Sequence, residues 1–299
     1  MSSLNLSSWS ERAPMPLPLA GNSVAAWNGK LLVAGGTYWS PDKKLWVDRA
    51  DAFDPAGNRW EPLPSLPSPH GDAPCLVVDG IPYILGGGRD GSTTTTAWSL
   101  RPGGWQFETA MTLPAPRKSM AAAVVGKTAY LLGGFERPND MKSGTRTVWA
   151  WTAGTKRWEE RAPVPGVVRF NPATAVVGGK ILLAGGATMD NGQLENLADI
   201  LAYNPADNRW STAGRLPYAS RAGSGEAADG KMLIIGGYGE KFETDIFAFD
   251  PATGKTAPAG KLPHGLADSR FARIGNKLYG VGGENGMKMR APWMLEASL

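Results

Sequence analysis

One cysteine, Cys75, and two histidines, His70 and His264, are all that this chain of 299 residues holds of either type. A lone thiol excludes an internal disulfide and any cysteine-based zinc cluster, and two histidines with no acidic cluster beside them supply no ligand set for a metal. Cys75 lies in Pro-Cys-Leu-Val-Val, a setting for a small buried apolar residue rather than a reactive thiol. Basic runs of five or more are missing, and Lys plus Arg number 31 against 27 Asp plus Glu, so neither nucleic acid nor a membrane surface has a field to act on. The pI near 9.1 is a weak pointer toward acidic ligands. No apolar run of 18 residues occurs, and the start, MSSLNLSSWSERAPMP, lacks both a basic region and an apolar core. A cytoplasmic protein is expected, or a periplasmic one if a signal peptide has been removed.

What is abundant is glycine, 39 residues, and proline, 24, set among short apolar runs that make up 42% of the chain. That composition speaks for many turns around a real core, not for disorder. Self-similarity organises the chain: KLLVAGG (30–36), IPYILGG (81–87), KTAYLLGG (127–134), KILLAGG (180–186), KMLIIGG (231–237) and KLYGVGG (277–283). The first glycines stand at 35, 86, 133, 185, 236 and 282, a period of about 50. Such a period with a diglycine resembles the kelch repeat, whose units are the four-stranded blades of a β-propeller. Glycine weakens a strand interior and marks close backbone approach, so six pairs in register point to crowding of neighbouring blades near a central axis. None of them opens a helix, which sets aside a phosphate cradle.

Other marks recur with the glycines. An apolar run and a tight turn precede each pair, as in SVAAWNGK and CLVVDGI, where Asn-Gly or Asp-Gly supplies the positive φ of a hairpin. Beyond it come a third strand and a turn of the form DPxxNxW: DPAGNRW (54–60), NPADNRW (204–210), DPATGKT (250–256) and the degraded TAGTKRW (152–158). Trp60, Trp158 and Trp210 at these turns read as blade core. Fourth strands follow only five of the diglycine strands. SSWSERAPMP (7–16) matches RWEERAPVP (157–165), so the fold class expected is all-β, a six-bladed kelch-type β-propeller spanning 1–299 as a single domain. Its ring is closed by residues 7–16, which supply the fourth strand of the last blade and remove the free sheet edges.

With strands lettered a to d from axis to rim, the antiparallel meander places the b–c loops and the d–a connections on one mouth. Loops there can build a site on a rigid scaffold. His70, Arg117, Arg169 and Arg221 fall 15 to 16 residues before the diglycines, near the start of an innermost strand. Two readings stand for them: an anion-binding group at the mouth of the axis, or clamps that tie loop carboxylates and carbonyls and hold adjacent blades together. His264 does not share this register.

GGENGMKMRAPWMLEA (282–297) resembles the stretch that reads approximately GEAKPGLR in the bacterial sialic acid mutarotases, the N-acetylneuraminate epimerases, themselves kelch propellers. Segments 164–186, 195–210 and 34–53 resemble further blades of that family in cyclic order, so the likeness is to a circularly permuted member. The chain departs from the family in lacking its long insertions and a secretion signal. The resemblance implies that Glu284 and Arg290 fall on the family's active-site glutamate and arginine, that the substrate is a small acidic sugar, and that no metal or redox cofactor is required. Arg169, Arg117, Arg221 and His70 would then bind substrate, with Trp39 and Trp293 among the aromatic side chains that stack on the sugar, together with Tyr38, Trp46, Phe135 and Tyr238. The alternative for Glu284 and Arg290 is an ordinary loop salt bridge. For the whole chain the alternative is a non-catalytic kelch module that binds a protein or peptide, since fold alone decides no function.

Overall fold

The computed structural model describes residues 4–299 and contains six four-stranded antiparallel blades around one axis. In blade 1 the strands run Ser23–Trp27, Lys30–Ala34, Ala50–Asp54 and Arg59–Leu63, from axis to rim. The same order repeats through blade 5, whose strands are Ser224–Ala228, Lys231–Ile235, Asp245–Asp250 and Lys255–Lys261. Blade 6 is Arg270–Ile274, Lys277–Val281 and Met294–Ser298, completed by Ser10–Glu11, with Ser10 opposite Glu296 and Glu11 opposite Leu295. The N-terminal segment therefore closes the ring. It also reaches further than the repeat pattern implied: Leu6, 2% exposed, exchanges backbone hydrogen bonds with Ala259 and Lys261 on the rim of blade 5.

The diglycines have a more specific cause than crowding of inner strands. In every blade the N–H of the second glycine donates to a carbonyl in the connection entering the next blade: Gly36 to His70, Gly87 to Arg117, Gly134 to Arg169, Gly186 to Ser220, Gly237 to Leu266 and Gly283 to Leu19, all at 2.7 to 2.8 Å. The last of these crosses the seam between blades 6 and 1. A Cβ on the first glycine would meet that same carbonyl within 2.5 Å, and its φ of 58 to 65° is left-handed in all six blades. Both positions thus demand glycine, one for space and conformation together.

A second ring of bonds runs round the rim. The indole N–H of Trp60 donates to Ala13 O, that of Trp105 to Pro64 O, that of Trp158 to Met111 O, and that of Trp210 to Ala162 O. Thr256 Oγ1 donates to Arg215 O in the corresponding place, and Trp9 closes this ring by donating to Lys261 O at 2.9 Å. The asparagine of the DPxxNxW turn works beside the tryptophan. Asn58 Oδ1 accepts from Ala13 N and Asn208 Oδ1 from Ala162 N, each asparagine in the left-handed conformation at φ 48° and 54°. The expected packing role of these tryptophans is accordingly joined by an interblade bond, which satisfies a buried indole N–H.

The b–c segments are not plain loops. They form two-stranded hairpins over the mouth, Thr37–Ser40 with Lys43–Trp46 in blade 1 and Glu284–Gly286 with Met289–Arg290 in blade 6, and blades 2, 3 and 4 carry counterparts. Among the described residues no helix is long and apolar enough to cross a membrane. Cys75 is only partly buried, because it lines the axial cavity, although burial pushes its thiol up to about 12.

Two outcomes follow for stability. Deletion of residues 1–16 removes the buried side chains of Leu6 and Met15 as well as the closing strand, a loss of roughly 3–6 kcal/mol from burial alone. The thermal midpoint is expected to drop by about 5 °C or more, and an unchanged midpoint contradicts the closure. Gly133→Ala, which drives a Cβ into Arg169 O, is expected to cost about 3 kcal/mol or more in denaturant titration, whereas Gly126→Ala, at φ 60° with nothing within 4 Å, costs only the ~1 kcal/mol of conformational strain.

Candidate functional site

Six d–a connections pass the mouth in a common register. One residue of each connection pairs with the residue following a diglycine: Ala20 with Thr37, Gly71 with Gly88, Lys118 with Phe135, Phe170 with Ala187, Arg221 with Tyr238 and Ala267 with Glu284. The next residue of each connection, Gly21, Asp72, Ser119, Asn171, Ala222 and Asp268, adopts a left-handed φ between 50 and 64° and turns the chain down into the innermost strand. These six residues surround the axis, linked by backbone bonds from Asp72 N to Gly21 O, Ser119 N to Asp72 O, Asn171 N to Ser119 O, Ala222 N to Asn171 O and Asp268 N to Ala222 O.

That register separates the residues expected to bind substrate. His70, Arg117 and Arg169 lie one position earlier than Arg221, and this single step turns their side chains into the blades. Arg117, 1% exposed, donates to Gly133 O at 2.9 Å and to Glu136 Oε1 at 3.2 Å, with its guanidinium 4.1 Å from the Trp149 ring. Arg169, 2% exposed, donates to Gly185 O and to Asp199. His70 Nε2 bonds Gly86 O at 2.5 Å, its ring packs edge-on to Trp98, and burial pushes its pKa down to about 4, so it stays neutral. Each of these three side chains grips the diglycine of its own blade while its backbone carbonyl accepts from the diglycine of the blade before. The structure places them as interblade clamps, not as a ring of anion ligands at the mouth.

Arg221 alone of the four stands at the mouth. Its guanidinium sits 4.7 Å from the Tyr238 ring and donates to Asn196 Oδ1 at 2.6 Å. Lys118, in the same register one blade pair away, forms a 2.9 Å ion pair with Asp72. Glu284 and Arg290 face one another across the blade 6 hairpin with Oε1 to Nη1 at 2.8 Å, and the two side chains differ in access: Glu284 is 34% exposed and Arg290 5%. Arg290 also reaches over the seam to Thr37, donating to its carbonyl at 3.1 Å and its hydroxyl at 3.3 Å. Burial, then the neighbouring Asp268 charge, raise the Glu284 pKa above the usual carboxylate range against the pull of Arg290.

Trp39 lies at the same seam, with Lys288 Nζ 5.3 Å from its ring and Lys288 paired to Asp42 at 2.8 Å, which ties the hairpins of blades 6 and 1 together. Trp293 is elsewhere: it stacks on His264 at 3.7 Å and packs against the shared core of blades 5 and 6. The site residues missed by motif reading are Asp268, Asp72, Gly21, Arg270 and Lys118. A signal for the axial members was present, since each lies 15 residues before the second glycine of a pair. Asp268 pairs with Arg270 at 3.0 Å, and its pKa is raised, chiefly by burial. Burial also pushes Asp72 up, but Lys118, Lys44 and Arg270 outweigh it and hold this carboxyl below its ordinary value. Among the described residues no group of three or more His, Cys, Asp or Glu is placed to hold a metal ion.

Beneath the mouth lies an axial cavity of about 220 Å³, into which Glu226 projects beside Arg270. The five positions equivalent to Glu226 are Ala25, Leu76, Ala123, Ala175 and Ala272, so one carboxyl stands in a wall of small apolar side chains. Burial raises its pKa to about 7.

Two further outcomes test these assignments. Arg169→Met strands Gly185 O and Asp199 and is expected to cost about 2–4 kcal/mol, while Arg221→Met costs under about 1 kcal/mol, both read from denaturant titration. Glu226 binds its proton more tightly folded than unfolded, so its stabilising contribution is complete below pH 4.5 and disappears as pH rises through 7. Glu226→Gln is therefore expected to flatten the fall of the thermal midpoint between these pH values and to gain up to about 3 kcal/mol over the native chain at pH 8; an identical pH profile contradicts the assignment.

Residues 18–67 and residues 168–217 each match a family model described as Kelch motif. The kelch-like protein terF of Aspergillus terreus is 29% identical over 254 residues, 77% of this chain and 52% of that protein. The N-acetylneuraminate epimerase of Pasteurella multocida is 39% identical over 85 residues, 27% of this chain and 22% of the epimerase. The chain thus spans about half the length of the first relative, and its match to the second is confined to about a fifth of that enzyme. The solved structure of YjhT superposes with a TM-score of 0.80 over 97% of both chains at 16% identity. The chain is a six-bladed β-propeller built on kelch motifs.

Proposed function

We propose that the chain is a mutarotase for a small acidic sugar, acting at the joint between blades 6 and 1. The observation that carries this reading is the Glu284–Arg290 pair: a partly accessible carboxylate held at 2.8 Å by an arginine that is itself anchored to Thr37. The partial identity to N-acetylneuraminate epimerases supports the substrate class. Mutarotation needs a group that removes the proton of the anomeric hydroxyl while the ring C–O bond breaks and the ring oxygen gains a proton; the open carbonyl form then recloses on its other face. Glu284 in its ionised form is the base. Arg290 is fully engaged by Glu284 and Thr37, so its role is to orient the carboxylate. The substrate's own carboxylate is left to cations with free access, Arg221 foremost, helped by Lys44, while Trp39 offers a face for the sugar ring.

The second reading, a module that binds a protein or peptide without catalysis, draws on Met287 and Met289, 81% and 56% exposed at the tip of the blade 6 hairpin, and on the kelch-like relatives. The discriminating assay is NMR of α-N-acetylneuraminic acid freshly released by a sialidase. The native chain is expected to accelerate conversion to the β form, Glu284→Gln to lower the rate about 10²- to 10⁴-fold, and kcat/KM to fall as pH drops through a value above the ordinary 4.5 of a glutamate. A native rate equal to buffer contradicts the reading.

A further inference from the structure

The hydrogen-bonded ring around the axis is open at one place. Five of its six links are made; the sixth, from Gly21 N to Asp268 O, is not. This open joint is also where one closed circuit of contacts meets. Ala267, next to Asp268, exchanges backbone bonds with Glu284; Glu284 pairs with Arg290; Arg290 binds Thr37; and Thr37 exchanges backbone bonds with Ala20, next to Gly21. Gly21 is the only glycine of the six axial positions, and a Cβ there would stand 2.7 Å from Asp72 Oδ1 and 3.5 Å from Asp268 Oδ2. The missing side chain keeps a gap open between two carboxyls, and Asp268, whose Oδ1 is held by Arg270, turns its other oxygen toward that gap.

We propose that Asp268 is a second catalytic carboxyl, paired with Glu284 across this joint, and that the gap at Gly21 admits the anomeric centre of the sugar to both. The inference rests on the mutarotase reading and names the group that reading leaves out: the donor of the proton to the ring oxygen. In ring opening one ionised carboxyl takes the anomeric hydroxyl proton, the ring C–O bond breaks with its electron pair going to the ring oxygen, and the other carboxyl, protonated, delivers its proton there. Ring closure on the opposite face reverses the two roles, so the pair ends as it began with one proton shared between two groups. Burial favours that single shared proton, since Asp268 and Glu284 are both raised and each carries its own arginine. Asp72 is unsuited to the role because Lys118 at 2.9 Å keeps it ionised.

The test uses the full chain and α-N-acetylneuraminic acid, followed by NMR across a pH series. Asp268→Asn is expected to lower kcat about 10²- to 10³-fold with KM changed by less than about threefold, and to remove one limb of the pH profile of kcat/KM. Gly21→Ala guards against a variant that fails to fold. Ala222 holds a Cβ at the equivalent position with φ 56°, so the backbone accepts one, and the filled gap is expected to lower kcat/KM at least about tenfold. If Glu284→Gln abolishes turnover while Asp268→Asn keeps the native kcat and pH profile, or Gly21→Ala is kinetically native, the assignment of Asp268 and the gap falls and the mutarotase reading stands. If the native chain is no faster than buffer, both fall.

Discussion

The backbone hydrogen bond from the second glycine of each pair to a carbonyl of the following blade is the contact on which the propeller depends. It repeats six times, crosses the chain termini at Gly283 and Leu19, and sets the position of each d–a connection relative to the blade before it. The first glycine makes the bond possible by carrying no Cβ where that carbonyl must pass. Hydrophobic cores between the blades then fill against a frame already fixed at the axis, and the tryptophan and asparagine of the outer turns fix it again at the rim. Closure of both rings through the N-terminal strand leaves no blade with an open side, the condition a propeller needs to escape edge pairing.

The fold was legible because its determinants are local and periodic. Glycine pairs, Asn-Gly turns and DPxxNxW segments each require a backbone conformation that few residues supply, so they stand out in the letters themselves. The likeness of Trp9-Ser10-Glu11-Arg12 to Trp158-Glu159-Glu160-Arg161 even located the closing strand. The site was less legible, for a physical reason. Whether a side chain faces the mouth or the blade interior changes with one residue of register, and Arg169 and Arg221 differ by that single step. Counting back from the first glycine groups them together; the carbonyl that Gly134 or Gly186 binds tells them apart. Asp268 and Gly21 carry no motif at all and gain meaning only from the joint they flank.

Sixfold repetition builds the scaffold, and departures from it build the chemistry. Most mouth positions carry small or aromatic side chains, and the charged ones are concentrated toward blades 6, 1 and 2: Glu284, Arg290, Asp268, Arg270, Asp72 and Lys118. Here burial and like charge raise two carboxyls while cations oppose them, the kind of balance by which a protein tunes groups for proton transfer. The arginines of blades 3 and 4 show the same residue type used for the opposite end, buried and consumed in holding the ring together. A seam that joins the chain ends is a natural place for such a departure, since its two hairpins are brought together by Lys288 and Arg290 rather than by continuity of the chain.

The central claim is that ligand chemistry belongs to the joint between blades 6 and 1. Chemical-shift mapping of the ¹⁵N-labelled chain during titration with N-acetylneuraminic acid tests it most directly. Shifts concentrated at the amides of residues 20–22, 37–39, 267–270 and 284–290, with those of blades 3 and 4 unmoved, are the result the account predicts. Saturable shifts centred on any other pair of blades, or none at all, would contradict it.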